Sequence, residues 1–168
     1  MKARRLEPFP APLDLRIPQP EQLFALLHKT APISEPWSVF ACALMTKGRL
    51  DIPQRELAIL RVGCRRDCDY ILSGHLPVAR HAGVSSTRIR SAFDQAPEEA
   101  ADAPLLAAVD ELLAEGTIHP AARRTLDRAL SEEEIIELVM LVGQYVLVSM
   151  VCETFSLKPE PRAGTPGH

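Results

Sequence analysis

Apolar residues recur at helical spacing in a series of short stretches, each opened by a capping residue or a proline and closed by glycine or polar residues. Pro20 opens the first, in which Leu23, Phe24 and Leu27 form a stripe. Ser34 is the expected N-cap of the next, with Pro36 in its first turn, Gly48 just past its end, and Trp37, Phe40, Ala41 and Leu44 on the buried face. Asp51 caps a third helix with Pro53 in its opening turn, and Leu57, Ile59, Leu60 and Val62 make it largely buried. The polar run Arg65-Arg66-Asp67 breaks the pattern, so a fourth helix is expected from near Cys68, capped by Asp67, to Gly83. Ser85 or Ser86 starts a short helix through Ile89 and Phe93, and a polar linker over 94–103 follows. Asp102 and Pro104 open a helix carrying Leu105, Leu106, Val109, Leu112 and Leu113, closed by Gly116. A short helix over 120–130 leads to Ser131 and Glu134, a capping box for a long C-terminal helix reaching about Phe155. No stretch reads as a strand, so the expected fold class is all-α, a compact multi-helix bundle.

Residues 1–19 read as an extended proline-rich arm, either laid across a neighbouring subunit or a mobile tail. Residues 20–158 form one helical domain, and 159–168 read as a disordered tail. LDIPQRELAILRVG, from Leu50, and LSEEEIIELVMLVG, from Leu130, resemble each other. Two related helical halves would explain this, as would chance likeness between amphipathic helices.

Composition narrows the class. At 168 residues, with 46% hydrophobic and 24% charged, the chain has the makings of one domain with a sizeable core. A net charge of −3 is too mild to imply nucleic acid, and no Lys/Arg block is set among aromatics. Four scattered cysteines do not make a disulfide-built secreted fold. The N-terminus carries basic residues but no apolar core of a signal peptide. Leu138 to Cys152 is interrupted by Gly143, Gln144, Tyr145 and Ser149, and falls short of the roughly 20 residues that span a bilayer. A reducing cytoplasm is the expected location, with no membrane partner.

Most of the reactive side chains lie between Asp51 and Gly83. Glu56 sits within an apolar helix, Cys64 and Cys68 are four apart, and His75 follows seven residues later. In a helix, Cys68 and His75 share a face, with Ile71 between them. A position at a helix N-terminus favours the Cys68 thiolate. Cys42 and Cys152 read as packing, and Tyr145 as a core or subunit contact. A metal site from Cys64, Cys68, His75 and His81 matches no familiar zinc spacing, and Ser73 beside His75 lacks a nucleophile elbow. No metal or cofactor is expected.

The run RELAILRVG…CDYxxxxH…A…AGVS resembles the carboxymuconolactone decarboxylase and AhpD-like alkylhydroperoxidase family. The segment DELLAEGTIHPAARRTLDRALSEEEIIELVMLVGQYVLVSM is similar to the C-terminal part of a longer subgroup. The resemblance covers roughly residues 20–158 and implies an all-helical domain that assembles as a homo-oligomer, a trimer or hexamer. Its peroxidase branch uses a Cys-x-x-Cys pair, a glutamate and a histidine. By position these fall on Cys68, Glu56 and His75, with Ile71 where the second cysteine would stand. Cys64 is then the candidate substitute partner, although an i, i+4 pair in a regular helix fits disulfide geometry poorly. The decarboxylase branch needs no cysteine; there His75 is the expected proton donor and Glu56 its partner on a small carboxylated metabolite or lactone. Tyr70, Ile71 and Arg65 are the candidates to contact that substrate, with Arg61, Arg66 and Arg80 as further cations for an anionic group. The third possibility is a non-catalytic relative that keeps the fold as a small-molecule binder or scaffold, with Glu56 and His75 a structural pair.

Overall fold

The computed structural model describes residues 21–94 and 101–159. The N-terminal arm, most of the linker after Asp94 and nearly all of the C-terminal tail fall outside the described residues. Within them the chain is helical, without strands: α1 (Glu21–Leu27), a 3-10 turn (His28–Thr30), α2 (Ala31–Thr46), α3 (Ile52–Arg65), α4 (Asp69–His81), α5 (Ser86–Ser91), α6 (Ala103–Glu115), α7 (Pro120–Leu126) and α8 (Glu132–Thr154).

α3 is the central element. Every residue from Arg55 to Gly63 is buried, and α4, α5, α6 and α8 pack around it. Gly63 makes the α3–α4 contact close, since a Cβ there would come 2.9 Å from a Leu72 methyl and 3.0 Å from an Ile71 methyl. The Asp51 carboxylate accepts from the Gln54 N–H, as its capping position requires, and the Ser131–Glu134 capping box is present at the start of α8.

Three helix ends share one device. After α3, the Cys68 N–H reaches the Gly63 carbonyl and the Asp67 N–H reaches Cys64, with Asp67 at φ 52°. After α4, Val84 reaches Ala79 and Gly83 reaches Arg80, with Gly83 at φ 78°. After α8, Leu157 reaches Cys152 and Ser156 reaches Glu153, with Ser156 at φ 50°. Each is a Schellman closure, in which a left-handed residue turns two orphan carbonyls back onto the chain. Glycine does this without strain; Asp67 and Ser156 do it against their Cβ atoms.

Two helix starts differ from the sequence expectation. α2 begins at Ala31 rather than after Ser34, because Pro32 already occupies its first turn; Ser34 and Pro36 lie inside the helix. α4 takes Cys68, not Asp67, as its N-cap, because Asp67 is spent on closing α3.

α8 is long and apolar enough to meet the length and composition of a membrane span, yet it serves as a core helix. Ile135, Leu138, Leu141, Val142, Val148 and Cys152 are buried. The opposite face leaves Ile136, Val139, Met140, Leu147 and Met150 exposed. At the near end of α8, the Glu137 carboxylate accepts from the backbone N–H groups of Arg49 (2.5 Å) and Leu50 (3.2 Å) in the α2–α3 loop. A Cβ on Gly48 would overlap that carboxylate, so a side chain there would displace the Glu137 contact.

The largest fully buried side chain is Arg61. Its guanidinium donates to both Asp110 oxygens at 2.8 and 2.6 Å and to the carbonyls of Ser91, Ala92 and Asp94, so one α3 side chain ties in α5 and α6. Burial pushes the Asp110 carboxyl up, but the hydrogen bonds from Arg61 and Arg65 outweigh it and hold the group below its ordinary value. Asp110→Ala should therefore cost about 3 kcal/mol in chemical denaturation, because Arg61 loses its counter-charge while still buried. A folded pKa below the unfolded one gives a contribution that is complete above about pH 4 and is lost as pH falls through the folded value. Asp110→Asn should flatten that acid limb; an unchanged pH profile would contradict it.

Candidate active site

Four helices converge on one hydrogen-bonded chain. α3 contributes Glu56, which is fully buried. From α4, one helical face inward, His75 places Nδ1 2.7 Å from Glu56 Oε2. From α8, the Tyr145 hydroxyl lies 3.0 Å from His75 Nε2, with the two rings edge to face at 5.0 Å and 88°. An ionised carboxylate can only accept, so the imidazole donates from Nδ1 and its Nε2 lone pair accepts from the phenol. Protons can thus be handed along Tyr145, His75 and Glu56.

Arg55 flanks the carboxylate. Its Nε lies 3.4 Å from Glu56 Oε1 and its Nη1 donates to the Met45 carbonyl at 2.6 Å, joining α2 to the site. The Met45 sulfur sits 3.5 Å from the Tyr145 hydroxyl. Next to Tyr145, Gln144 accepts from the Trp37 indole at 3.0 Å and fixes α2 against α8. Burial, and then the nearby Glu56 charge, push the Tyr145 phenol above its ordinary value, so it stays protonated.

The residues singled out from the sequence divide into groups. Glu56 and His75 meet. Cys68, the N-cap of the helix that carries His75, is buried, and Cys152 of α8 holds its thiol below the ordinary value, while Cys64 faces the Phe93 carbonyl at 3.9 Å. The Tyr70 hydroxyl accepts from the Leu23 N–H at 3.3 Å. Ile71 is buried against Gly63. Arg65 joins Arg61 on Asp110 at 3.0 and 3.2 Å, and that hydrogen bond raises its pKa. Arg66 donates to Ser149 at 3.2 Å and Arg80 is exposed. Arg65 and Arg66 are thus engaged by Asp110 and Ser149 rather than by the Glu56–His75 pair. Sequence reasoning missed Tyr145 and Arg55; the available signal was polarity inside apolar helices, Gln144-Tyr145 in one and Arg55-Glu56 in the other. Among the described residues no three His, Cys, Asp or Glu side chains gather as metal ligands.

Residues 34–115 match the model of the carboxymuconolactone decarboxylase family. Over that stretch the chain is similar to this family. The match includes Arg55, Glu56, Cys68 and His75, whereas Tyr145 and Cys152 lie beyond it. A crystal structure from Agrobacterium tumefaciens, of a protein of unknown function suggested to be the antioxidant defence protein AhpD, is similar at a TM-score of 0.70. It shares 20% identity, over 80% of this chain and 95% of that one, a likeness of fold. No curated protein matches.

Alkaline titration followed at the phenolate absorbance should show Tyr145 ionising above the ordinary tyrosine range, and Tyr145→Phe should remove that late step. Ionisation of Tyr145 within the ordinary range would contradict a buried phenol held against Glu56.

Proposed function

We propose that this protein is a cofactor-independent enzyme of proton transfer, performing a decarboxylation or related lyase or isomerase step on a small carboxylated metabolite or lactone. The observation that carries the reading is the continuous Tyr145–His75–Glu56 hydrogen-bonded chain. Loss of carbon dioxide from a vinylogous or β-keto acid leaves an enolate that must be stabilised and then protonated. His75 suits the donor: when its Nε2 takes up a proton, the Glu56 carboxylate on Nδ1 stabilises the imidazolium and holds the ring in place. The Tyr145 hydroxyl is a neutral donor to the developing oxyanion. Arg55 is the charged group nearest this pair and favours an anionic substrate.

A hydroperoxidase working through Cys68 and His75 has less support. The imidazole is bonded at both nitrogens to groups other than sulfur, and Ile71 stands where a second thiol is needed. A purely structural Glu56–His75 pair is the remaining alternative, and stability separates it from catalysis.

A panel of small lactone and unsaturated keto acids, followed by carbon dioxide release, tests the reading. His75→Ala should lower kcat/KM on the responsive substrate by about 100- to 10,000-fold, while Cys68→Ser keeps most of the activity. The reverse pattern, or a His75→Ala protein that loses stability but not turnover, would overturn it.

The resemblance also implies a homo-oligomer, and the exposed apolar face of α8 is the surface we expect a second copy to cover. Light scattering should give a multiple of the chain mass, and Leu147→Glu with Met150→Glu should reduce it to the single chain. A wild-type protein that is monomeric at micromolar concentration would sink this assignment.

A further inference from the structure

The Tyr145–His75–Glu56 chain does not stop at its two outer members. Arg55 Nε lies 3.4 Å from Oε1 of Glu56, the oxygen that His75 leaves free, and Arg55 Nη1 donates to the Met45 carbonyl at 2.6 Å. The Met45 sulfur in turn lies 3.5 Å from the Tyr145 hydroxyl. Five residues of α2, α3, α4 and α8 thus close a ring of polar contacts, in which Met45 links Arg55 to Tyr145. Met45 stands in the last turn of α2, where carbonyls have no partner within the helix. Arg55 therefore both satisfies its main chain and fixes the turn that carries the sulfur.

The Tyr145 hydroxyl has two neighbours and one proton to give. It lies 3.0 Å from His75 Nε2 and 3.5 Å from Met45 Sδ. While the imidazole is neutral and its Nδ1 proton is on Glu56, Nε2 offers a lone pair to the phenol O–H. Once Nε2 gains a proton it becomes a donor, and two donors would then face each other across one contact. The phenol does not relieve this by ionising, because burial and then the Glu56 charge push its pKa above the ordinary value. Its O–H has to turn about the C–O bond, giving a lone pair to Nε2 and its hydrogen to another acceptor. The Met45 thioether is placed to receive that hydrogen.

We propose that the Met45 sulfur is the second acceptor of the Tyr145 hydroxyl, a positioning residue that lets His75 hold two protons without breaking its contact with Tyr145. The role rests on the proton-transfer reading of the site, in which His75 passes through that state; the reversal of the hydrogen bond belongs to the protein without substrate. The charged and titratable groups that meet the ring are Glu56, with Arg55 behind it, from α3 and Tyr145 from α8, whereas α2 brings the uncharged sulfur. Removing the sulfur therefore acts on one protonation state of His75 and leaves the other as it was.

The test is long-range proton–nitrogen NMR of the full-length protein labelled in its histidine rings, with the His75 signals assigned by their loss in His75→Gln. Leucine has nearly the volume of methionine and no sulfur. In Met45→Leu the neutral ring should keep its proton on Nδ1. The doubly protonated ring should form at a pH lower by about 0.5 to 1 unit, which is roughly three- to tenfold in proton concentration. In a Tyr145→Phe background, Met45→Leu should make no difference. Norleucine in place of the four methionines keeps their shape without sulfur, and should give the same displacement even where Met45→Leu does not fold. An unmoved transition, with solvent serving as the acceptor, would overturn the proposal. So would an equal shift in the Tyr145→Phe background, which would make Met45 a packing residue only. On a responsive substrate, Met45→Leu should lower kcat about three- to tenfold and keep KM. If the NMR transition moves but no substrate responds, the reaction assignment fails and the sulfur contact stands.

Discussion

A helix sealed on every side cannot hold charge unless its neighbours supply the partners. α3 holds three such groups, Arg55, Glu56 and Arg61, within a stretch buried from end to end. An ionised side chain left alone there costs several kcal/mol, so each must be met by something specific. α2 offers the Met45 carbonyl to Arg55, α4 offers His75 to Glu56, and α6 offers Asp110 to Arg61, alongside the carbonyls of Ser91, Ala92 and Asp94 at and beyond the end of α5. Apolar packing brings helices together but tolerates sliding; these polar contacts fix which turn of each helix faces α3. The candidate active site is one consequence of that demand, since the group that satisfies Glu56 is a histidine that can itself carry a proton onward.

How much of this was legible in the sequence depended on the range of the interaction. Local rules held where local chemistry decides: Asp51, Ser85 and Ser131 cap as their side chains suggest, and Gly83 and Gly116 turn at positive φ. Ser34 misled because two prolines, four residues apart, each look like a helix opener, and the earlier one takes that role. Asp67 misled for a related reason: a residue between two helices can serve the end of one or the start of the next, and here it closes α3. Glu56 with His75 was within reach, being 19 residues apart on consecutive helices. Tyr145, 70 residues from His75, was not, because periodicity assigns a residue to a face and says nothing of what that face meets. Cys152 was hidden in the same way.

α4 separates two kinds of chemistry along its length. Its N-cap sulfur faces the last turns of α8, while His75, roughly 10 Å further along the axis, faces Glu56 and Tyr145. Ile71 lies between them, buried against Gly63, where a polar or reactive side chain would have to displace the closest contact of α3 and α4. An aliphatic residue there keeps sulfur and imidazole apart, so each can respond to its own surroundings.

α8 supplies Tyr145 to His75, Cys152 to Cys68 and Glu137 to the α2–α3 loop, so three separate parts of the earlier chain wait on one late helix. A ribosome delivers them in the opposite order. While α8 is still being made, Glu56 has its histidine but not the phenol beyond it, and the apolar residues of α3 lack a cover. The last helix therefore both covers the apolar residues of α3 and closes the Tyr145–His75–Glu56 chain. A chain truncated before α8 would lack both the cover of its central helix and the third member of its hydrogen-bonded chain.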